Sequence, residues 1–381
     1  MSVRKRVWRT KTGKIRESWI VDYFDQKHIR RAKQFSRKKA ADDYYAKVVV
    51  DVGRGVHTAE STSPTVAGAA ESWLKGVELE GREAATLAQY RQHVVHHINP
   101  RLGREKLATL TTPRINAFKD ELLTDLSRPL AGKVLTSLKA ILKDAMRRGS
   151  VAQNVARDVI IGADARGARK LVVGVDIPMP DEIRRMIAAM GDNFYRPLLI
   201  TAIFTGLRAS ELRGIPWRDV DLGRGEVHIR QRADRYNRIG PPKSKAGERT
   251  VPLGPMVVNV LRAWKLASCP NDLDLVFPSR TGLVMRQEKI VRSGLIPVQI
   301  AAGVVTPEGE AKYPGMHALR HFYASWCINR RRDGGLELTP KLVQARLGHA
   351  NIALTMDRYG HLFPRSDDGA ELVAAEKLLL T

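Results

Sequence analysis

Cysteine is almost missing from this chain: among 381 residues only Cys269 and Cys327 occur, far apart and in no C-x-x-C spacing. That excludes a disulfide framework and a Cys-based zinc site as organising devices, and it fits a reducing cytoplasm. Long apolar runs are missing too. Stretches such as 197–204 fall well below the roughly 20 residues that cross a bilayer, so no membrane span is expected. The first eleven residues are basic, but no apolar stretch or cleavage site follows them, so they do not form a secretory signal. Acidic residues are in deficit, 40 Asp and Glu against 64 Lys and Arg, which leaves a net charge of +24 and a pI near 10.3. A field of that size predicts a polyanionic partner: DNA, RNA or an anionic membrane surface. Internal repeats and long low-complexity tracts are absent.

The apolar share of 43% is enough for packed cores, and the length implies two or three domains. Residues 1–60 carry 16 Lys and Arg against 7 Asp and Glu, so this end is strongly basic in its own right. Segments 3–10, 17–24 and 28–35 read as strands divided by turns at 11–14 and 25–27. Ser36 is placed to cap a helix running to about Val52, with Gly53 ending it. Residues 57–65 are polar and read as a linker. Four amphipathic helices follow, at 66–74, 83–97, 112–123 and 129–148. Asn99-Pro100 is expected to stop the second, and Thr112-Pro113 to open the third. Their outer faces carry Arg91, Lys119, Lys133, Lys139, Lys143, Arg147 and Arg148. Residues 158–178 hold several glycines and the basic group Arg166, Arg169 and Lys170, and read as an inter-domain connection. Asp181 and Glu182 then open a helix at the end its dipole favours. A buried helix at 195–204 is followed by a turn at Thr205-Gly206. Residues 226–232 and 249–253 read as the two strands of an antiparallel ribbon, and helices are expected at 316–330, 340–346 and 351–357.

The last part of the chain concentrates chemistry. M-H-A-L-R-H-F-Y-A-S-W places His317 and Arg320 one helical turn apart, where both can face one ligand. L-G-H follows at His349, and T-M-D-R-Y-G-H ends in Tyr359, Gly360 and His361. Upstream, T-G-L-R-A-S-E-L holds Arg208 and Glu211, and P-P-K-S-K-A-G-E-R-T-V-P-L holds Lys243 and Lys245. Cations gathered around a tyrosine suit phosphate chemistry with a covalent step, for which neither metal nor nucleotide is required.

This ordered set, from Thr205 to His361, resembles the tyrosine recombinase family of the phage-integrase type. The I-N-P-R-L-G and A-M-R-R-G-S-V-A-Q-N-V-A phrases resemble its helical core-binding domain, with Val155 standing where relatives often carry proline. The resemblance implies a multidomain, mainly α fold. A small β-sheet-plus-helix arm-type DNA-binding domain spans 1–60 and a helical core-binding domain 64–157. A linker at 158–178 leads to a mixed α+β catalytic domain at 179–381 with a C-terminal tail helix. It implies Arg208 and Arg320 as phosphate clamps and Tyr359 as the nucleophile, with His317 and the arginines activating the phenol. His349 becomes a hydrogen-bond donor to the scissile phosphate. A lysine is the general acid: Lys243 fits the family spacing better, and Lys245 remains the alternative. Glu211, His321 and His361 support the site, and Tyr323 reads as core.

The implied activity is site-specific recombination for a phage or integrative element, through a 3′-phosphotyrosyl intermediate and a Holliday junction, without cofactor. Implied partners are double-stranded DNA attachment sites and three further copies of the chain in a homotetramer. A DNA-bending host factor and an excisionase are partners the family admits, and no membrane is involved. The setting is cytoplasmic and nucleoid-associated. A type IB topoisomerase-like relaxing enzyme and an inactive DNA-binding regulator are the competing readings.

Overall fold

Alternation of apolar residues along 19–23 (Trp19, Val21, Tyr23) gives one face of a strand a reason to be buried. The computed structural model describes residues 2–25, 28–55, 57–60, 63–162, 170–363 and 368–380. It divides into two compact units, Met1–Ala165 and Arg166–Thr381. In the first, β1 (Ser2–Arg9), β2 (Ile15–Phe24) and β3 (Arg30–Phe35) form an antiparallel sheet in chain order. Val3 pairs with Val21 and Trp19 with Phe35, so one face collects apolar side chains. Helix α1 (Lys38–Gly53) covers that face with Ala41 and Val48. The cap position is Arg37, one residue beyond the expected Ser36, because Arg37 is the last extended residue, at φ −123° and ψ 139°.

The remainder of this unit is a helical bundle with its own core: α2 (Val66–Leu79), α3 (Ala84–His93), α4 (Asn99–Leu102), α5 (Thr112–Asp125) and α6 (Arg128–Arg147). Ile98, Leu102, Ile115, Phe118, Leu122 and Leu138 are fully buried in it. Each such side chain contributes about 1.5–3 kcal/mol relative to exposure. Asn99-Pro100 does not stop the helix. A π-helical turn at Val94–Ile98 carries the chain straight into α4. Proline removes one N–H and its ring crowds the carbonyl four residues back, and the wider turn absorbs both. The same device recurs before Pro297, where a π turn at Val291–Leu295 precedes a helical segment. Thr111, not Thr112, caps α5 by accepting from Arg114 N–H. The polar stretch before α2 is anchored within its unit. Thr58 Oγ1 accepts from Ala152 N–H at 3.0 Å, Lys106 donates to the Glu60 carbonyl at 2.7 Å, and Thr65 caps α2.

The second unit runs α7 (Pro180–Ala189), α8 (Arg196–Thr205), α9 (Ala209–Leu212), β4 (Val220–Asp221), β5 (Glu226–Ile229), β6 (Arg232–Ala233), β7 (Ile239–Gly240) and β8 (Arg249–Pro252). After these come α10 (Pro255–Ala267), α11 (Gln287–Ile290), α12 (Ile296–Ala301), α13 (His317–Ile328), α14 (Pro340–Leu347), α15 (Ile352–Tyr359) and α16 (Asp368–Leu380). The expected ribbon is β5 against β8, in register Val227 to Val251, with β4 on its other side. The first strand ends at Ile229, and the separate β6–β7 hairpin is inserted before the lysine-bearing segment. Helix α8 is apolar all round and accordingly buried, with Leu199, Ile200 and Ile203 fully inside. It ends on Gly206 at φ +61°, where an added Cβ would lie 2.3 Å from the Tyr323 ring. Only glycine serves there.

A second, smaller core joins Tyr323, Cys327 and Ile328 of α13, Val343 and Leu347 of α14, and Tyr359 of α15. Leu171, from the stretch expected as a connection, packs against both cores. Arg166 and Arg169 of that stretch, and residues 364–367 before the tail helix, lie outside the described residues. Among the described residues no helix is long and apolar enough to cross a membrane.

Candidate active site

Two glycine turns bring the charged residues of distant segments together. Gly206 ends α8 so that Arg208 emerges at the start of α9, and Gly348, at φ +63°, ends α14 so that His349 turns back over it. A cavity of about 490 Å³ is lined by Arg208, His317, Arg320, His349, Arg358 and Tyr359, together with Lys170, Leu171, Leu354 and Asp357. Five of the six expected catalytic residues therefore share one cavity. Lys243 and Lys245 are exposed on the segment between β7 and β8 and do not line it.

The guanidiniums are held by backbone carbonyls at the C-terminal end of α14. Arg249 Nε donates to the Arg346 carbonyl at 2.7 Å, Arg320 Nη2 to Leu347 at 2.5 Å, and Arg208 Nη2 to Gly348 at 3.1 Å. Three successive carbonyls thus accept from three different arginines, at the helix end whose dipole favours cations. Arg320 is 2% exposed and also donates to the Gly206 carbonyl at 2.6 Å. Burial, then the neighbouring Arg208, push its pKa down to about 9, which still leaves it charged at neutral pH. Glu211 answers Arg208 from within the same turn: its Oε1 accepts from Arg208 Nη1 at 2.7 Å and its Oε2 from the Arg208 N–H at 2.9 Å. Burial works to raise the Glu211 pKa, but Arg249 and Arg208 together hold it at about 2.

Tyr359 is 1% exposed, and its Oη lies 2.7 Å from Nδ1 of His321. His317, expected beside the phenol, instead stacks edge-on against His321 with ring centroids 4.9 Å apart. The reason is position along the helix: residue 321 is one turn beyond His317 on nearly the same face of α13, and that turn is the one opposite Tyr359 of α15. Burial raises the Tyr359 pKa, against the pull of Arg320, Arg358 and Arg208. Burial lowers the histidines, helped by nearby cations: His317 and His349 to about 4, His321 to about 3. All three are neutral at pH 7. His349 Nδ1 pairs with the buried Thr355 hydroxyl at 2.9 Å, and its ring lies parallel to that of Tyr359. His361 Nε2 meets the Leu171 carbonyl at 2.7 Å and so fastens the entering segment beside the cavity. Tyr323 is buried against Gly206 and is not among the residues that line the cavity.

Sequence reasoning passed over Arg249. Its side chain is 7% exposed and ion-paired with Glu211 at 2.9 Å, although the sequence marks it only as the first residue of a ribbon strand. The available signal was its position in E-R-T-V-P-L, where the next inward residue is the buried Val251.

Residues 179–365 match the phage integrase family model. The XerC-like tyrosine recombinase of Caldanaerobacter subterraneus subsp. tengcongensis is 25% identical over 325 residues, covering 78% of this chain and 80% of that protein. The ICEBs1 integrase of Bacillus subtilis is 22% identical, covering 72% and 74%. Among solved structures, the Tn1549 transposon integrase in complex with a circular intermediate DNA superposes with a TM-score of 0.64 at 18% identity, over 83% of this chain and 100% of that one. The lambda integrase tetramer bound to a Holliday junction gives 0.55 at 17%, over 91% and 95%. The multidomain, mainly α architecture is shared with both. On the matched domain, its ordered motifs and these relatives, the chain belongs to the phage integrase family, as a tyrosine-type site-specific recombinase.

Proposed function

We propose that this recombinase serves a phage or integrative element, cutting and rejoining double-stranded DNA at attachment sites through Tyr359. The observation that carries the reading is one cavity holding Tyr359 together with Arg208 and Arg320, both charged and both fixed by backbone carbonyls. A phosphodiester resists attack because it is already negative, and bidentate guanidinium forks are suited to neutralising its nonbridging oxygens. In the cleavage step Tyr359 Oη bonds to phosphorus and the bond to the 5′ oxygen breaks, leaving a 3′-phosphotyrosyl link. The phenol proton passes to Nδ1 of His321, which is neutral and at hydrogen-bond distance. This gives His321 the base role that the sequence assigned to His317, and His317 then acts on the phosphate beside His349. If the Thr355 hydroxyl donates to Nδ1 of His349, Nε2 of that ring carries the proton offered to a phosphate oxygen. The departing 5′ oxygen takes a proton from Lys243, with Lys245 as the alternative, once DNA draws their segment over the cavity. Reversal by a new 5′ hydroxyl rejoins the strand without ATP or metal, and two such exchanges pass through a Holliday junction.

The domains take roles to match. The sheet face away from α1 carries Arg4, Arg6, Arg16 and Arg30, which suits an arm-type DNA-binding domain at 1–60 entering a groove. The helical domain at 64–157, with Lys133, Lys143 and Arg147 exposed on α6, serves as the core-binding clamp, and 158–178 joins it to the catalytic domain at 179–381. Helix α16 exposes Leu372, Val373, Leu378, Leu379 and Leu380, between 62% and 85%, an apolar surface suited to a neighbouring protomer in a tetramer on DNA.

Incubation with nicked suicide DNA from the flanks of the encoding element tests the reading. A DNA-linked peptide containing Tyr359 is expected, and Tyr359→Phe should keep DNA binding while giving no adduct. Relaxation of supercoils with no dependence on paired sites would point to the topoisomerase-like alternative, and an adduct on another residue would overturn the assignment.

A further inference from the structure

Glu211 is the acid that answers the site's arginines, and its bonding fills all four acceptor positions of a carboxylate. The side chain is 2% exposed and accepts four hydrogen bonds, two from Arg208 and two from Arg249, the latter at 3.1 and 2.9 Å. A carboxylate shared by two guanidiniums leaves a cluster with one net positive charge. With Arg208 as sole partner the pair would be neutral, and the arginine that meets the phosphate would arrive with its charge already answered. Arg249 also reaches two places that must move together. Its Nη1 donates to the Gly247 carbonyl at 2.9 Å, at the end of the lysine-bearing segment, and its Nε to Arg346, at the start of the Leu-Gly-His turn. Gly348 lies flat against it: an added Cβ would come within 2.8 Å of Arg249 Nη1.

We propose that Arg249 is a positioning residue of strand cleavage: it takes up the charge of Glu211 so that Arg208 keeps its own for the scissile phosphate, and it ties the lysine-bearing segment to the His349 turn. The inference rests on the recombinase reading above and adds to it a third guanidinium that never touches DNA.

The test is single-turnover adduct formation on two suicide substrates, one with an ordinary scissile phosphodiester and one with an uncharged methylphosphonate there. Arg249→Met is expected to slow the phosphodiester by about 10²–10³-fold, the usual loss when one charge-assisted donor is removed. The methylphosphonate, which asks less of Arg208, should suffer at least about tenfold less. Adding Glu211→Gln to Arg249→Met should restore the wild-type ratio between the substrates, because it returns the charge of Arg208. Arg249→Lys, which keeps the charge, should also hold that ratio. A purely structural residue would slow both substrates alike, and the double variant would be no better than the single. Either result overturns the proposal, as does wild-type behaviour of Arg249→Met. If Arg249→Met does not fold, the double variant decides: removing both members of a buried pair is milder than removing one. Its substrate ratio must then match wild type, and a tenfold departure sinks the proposal. Failure of the wild-type protein to form any adduct would instead count against the recombinase reading itself.

Discussion

Tyr359, the proposed nucleophile, is kept out of water, with its hydroxyl committed to a histidine that burial has made a weak base. In the proposed reaction the surrounding arginines oppose the effect of burial on this phenol and promote its attack once a phosphate enters among them. The histidines set the pH behaviour. His317, His321 and His349 lie near 4, 3 and 4 when folded, so cleavage should show no inflection at the ordinary histidine pKa of about 6.5. Adduct formation followed from pH 8 to 6 is therefore expected to lack a histidine step. Stability behaves oppositely. Below pH 6.5 the unfolded chain binds protons that the folded site refuses, so stability is complete above that pH and falls as pH drops towards 4. Glu211, near 2 when folded, adds a further loss below its ordinary carboxylate value, about 4.3. Thermal melts between pH 8 and 5 should decline, and His321→Phe should flatten the decline if the buried ring is its main source.

At the scale of elements, the end of α14 is the structural centre of the site. Its last carbonyls hold three arginines drawn from α9, β8 and α13, so a single turn sets the spacing among residues spread over more than a hundred positions of the chain. Gly348 makes that turn possible twice over, through φ +63° and through the space it leaves for Arg249. Gly348→Ala is expected to cost roughly 1–3 kcal/mol of stability by denaturant titration, the usual range for a non-glycine residue forced into such backbone. It should also slow cleavage by more than the stability loss explains, since all three guanidiniums move with the turn. Unchanged cleavage would show that the carbonyls are incidental. The two π turns, at Val94–Ile98 and Val291–Leu295, keep a helix going through a proline. Asn99-Pro100 looks like a stop, but proline forbids only the regular hydrogen bond, and a wider turn evades the prohibition.

At the scale of the whole molecule, the tail helix is the element with the most apolar surface left uncovered among the described residues. Helix α16 leaves its leucines in solvent within one protomer, so in the proposed assembly its stability comes from a neighbour. Ending the chain after Arg365 is expected to leave adduct formation within about threefold of wild type while abolishing paired-site recombination, since a helix this short gains little except by docking. Sedimentation on DNA checks the multimer, and full recombination by the shortened chain would remove α16 from the assembly.

The sequence alone determined the inventory: a basic chain, a sheet-plus-helix beginning, a helical middle, and the ordered Arg208, Glu211, His317, Arg320, His349 and Tyr359. These were legible because composition and local spacing are properties of the chain itself. The folded structure decided the partnerships. It put His321, rather than His317, on the phenol, drew Arg249 inside, and left Lys243 and Lys245 outside the cavity. Such pairings depend on how helices that are distant in the chain slide and rotate against one another when their apolar faces pack, and a shift of one turn along α13, about 5.4 Å, changes which side chain meets the phenol.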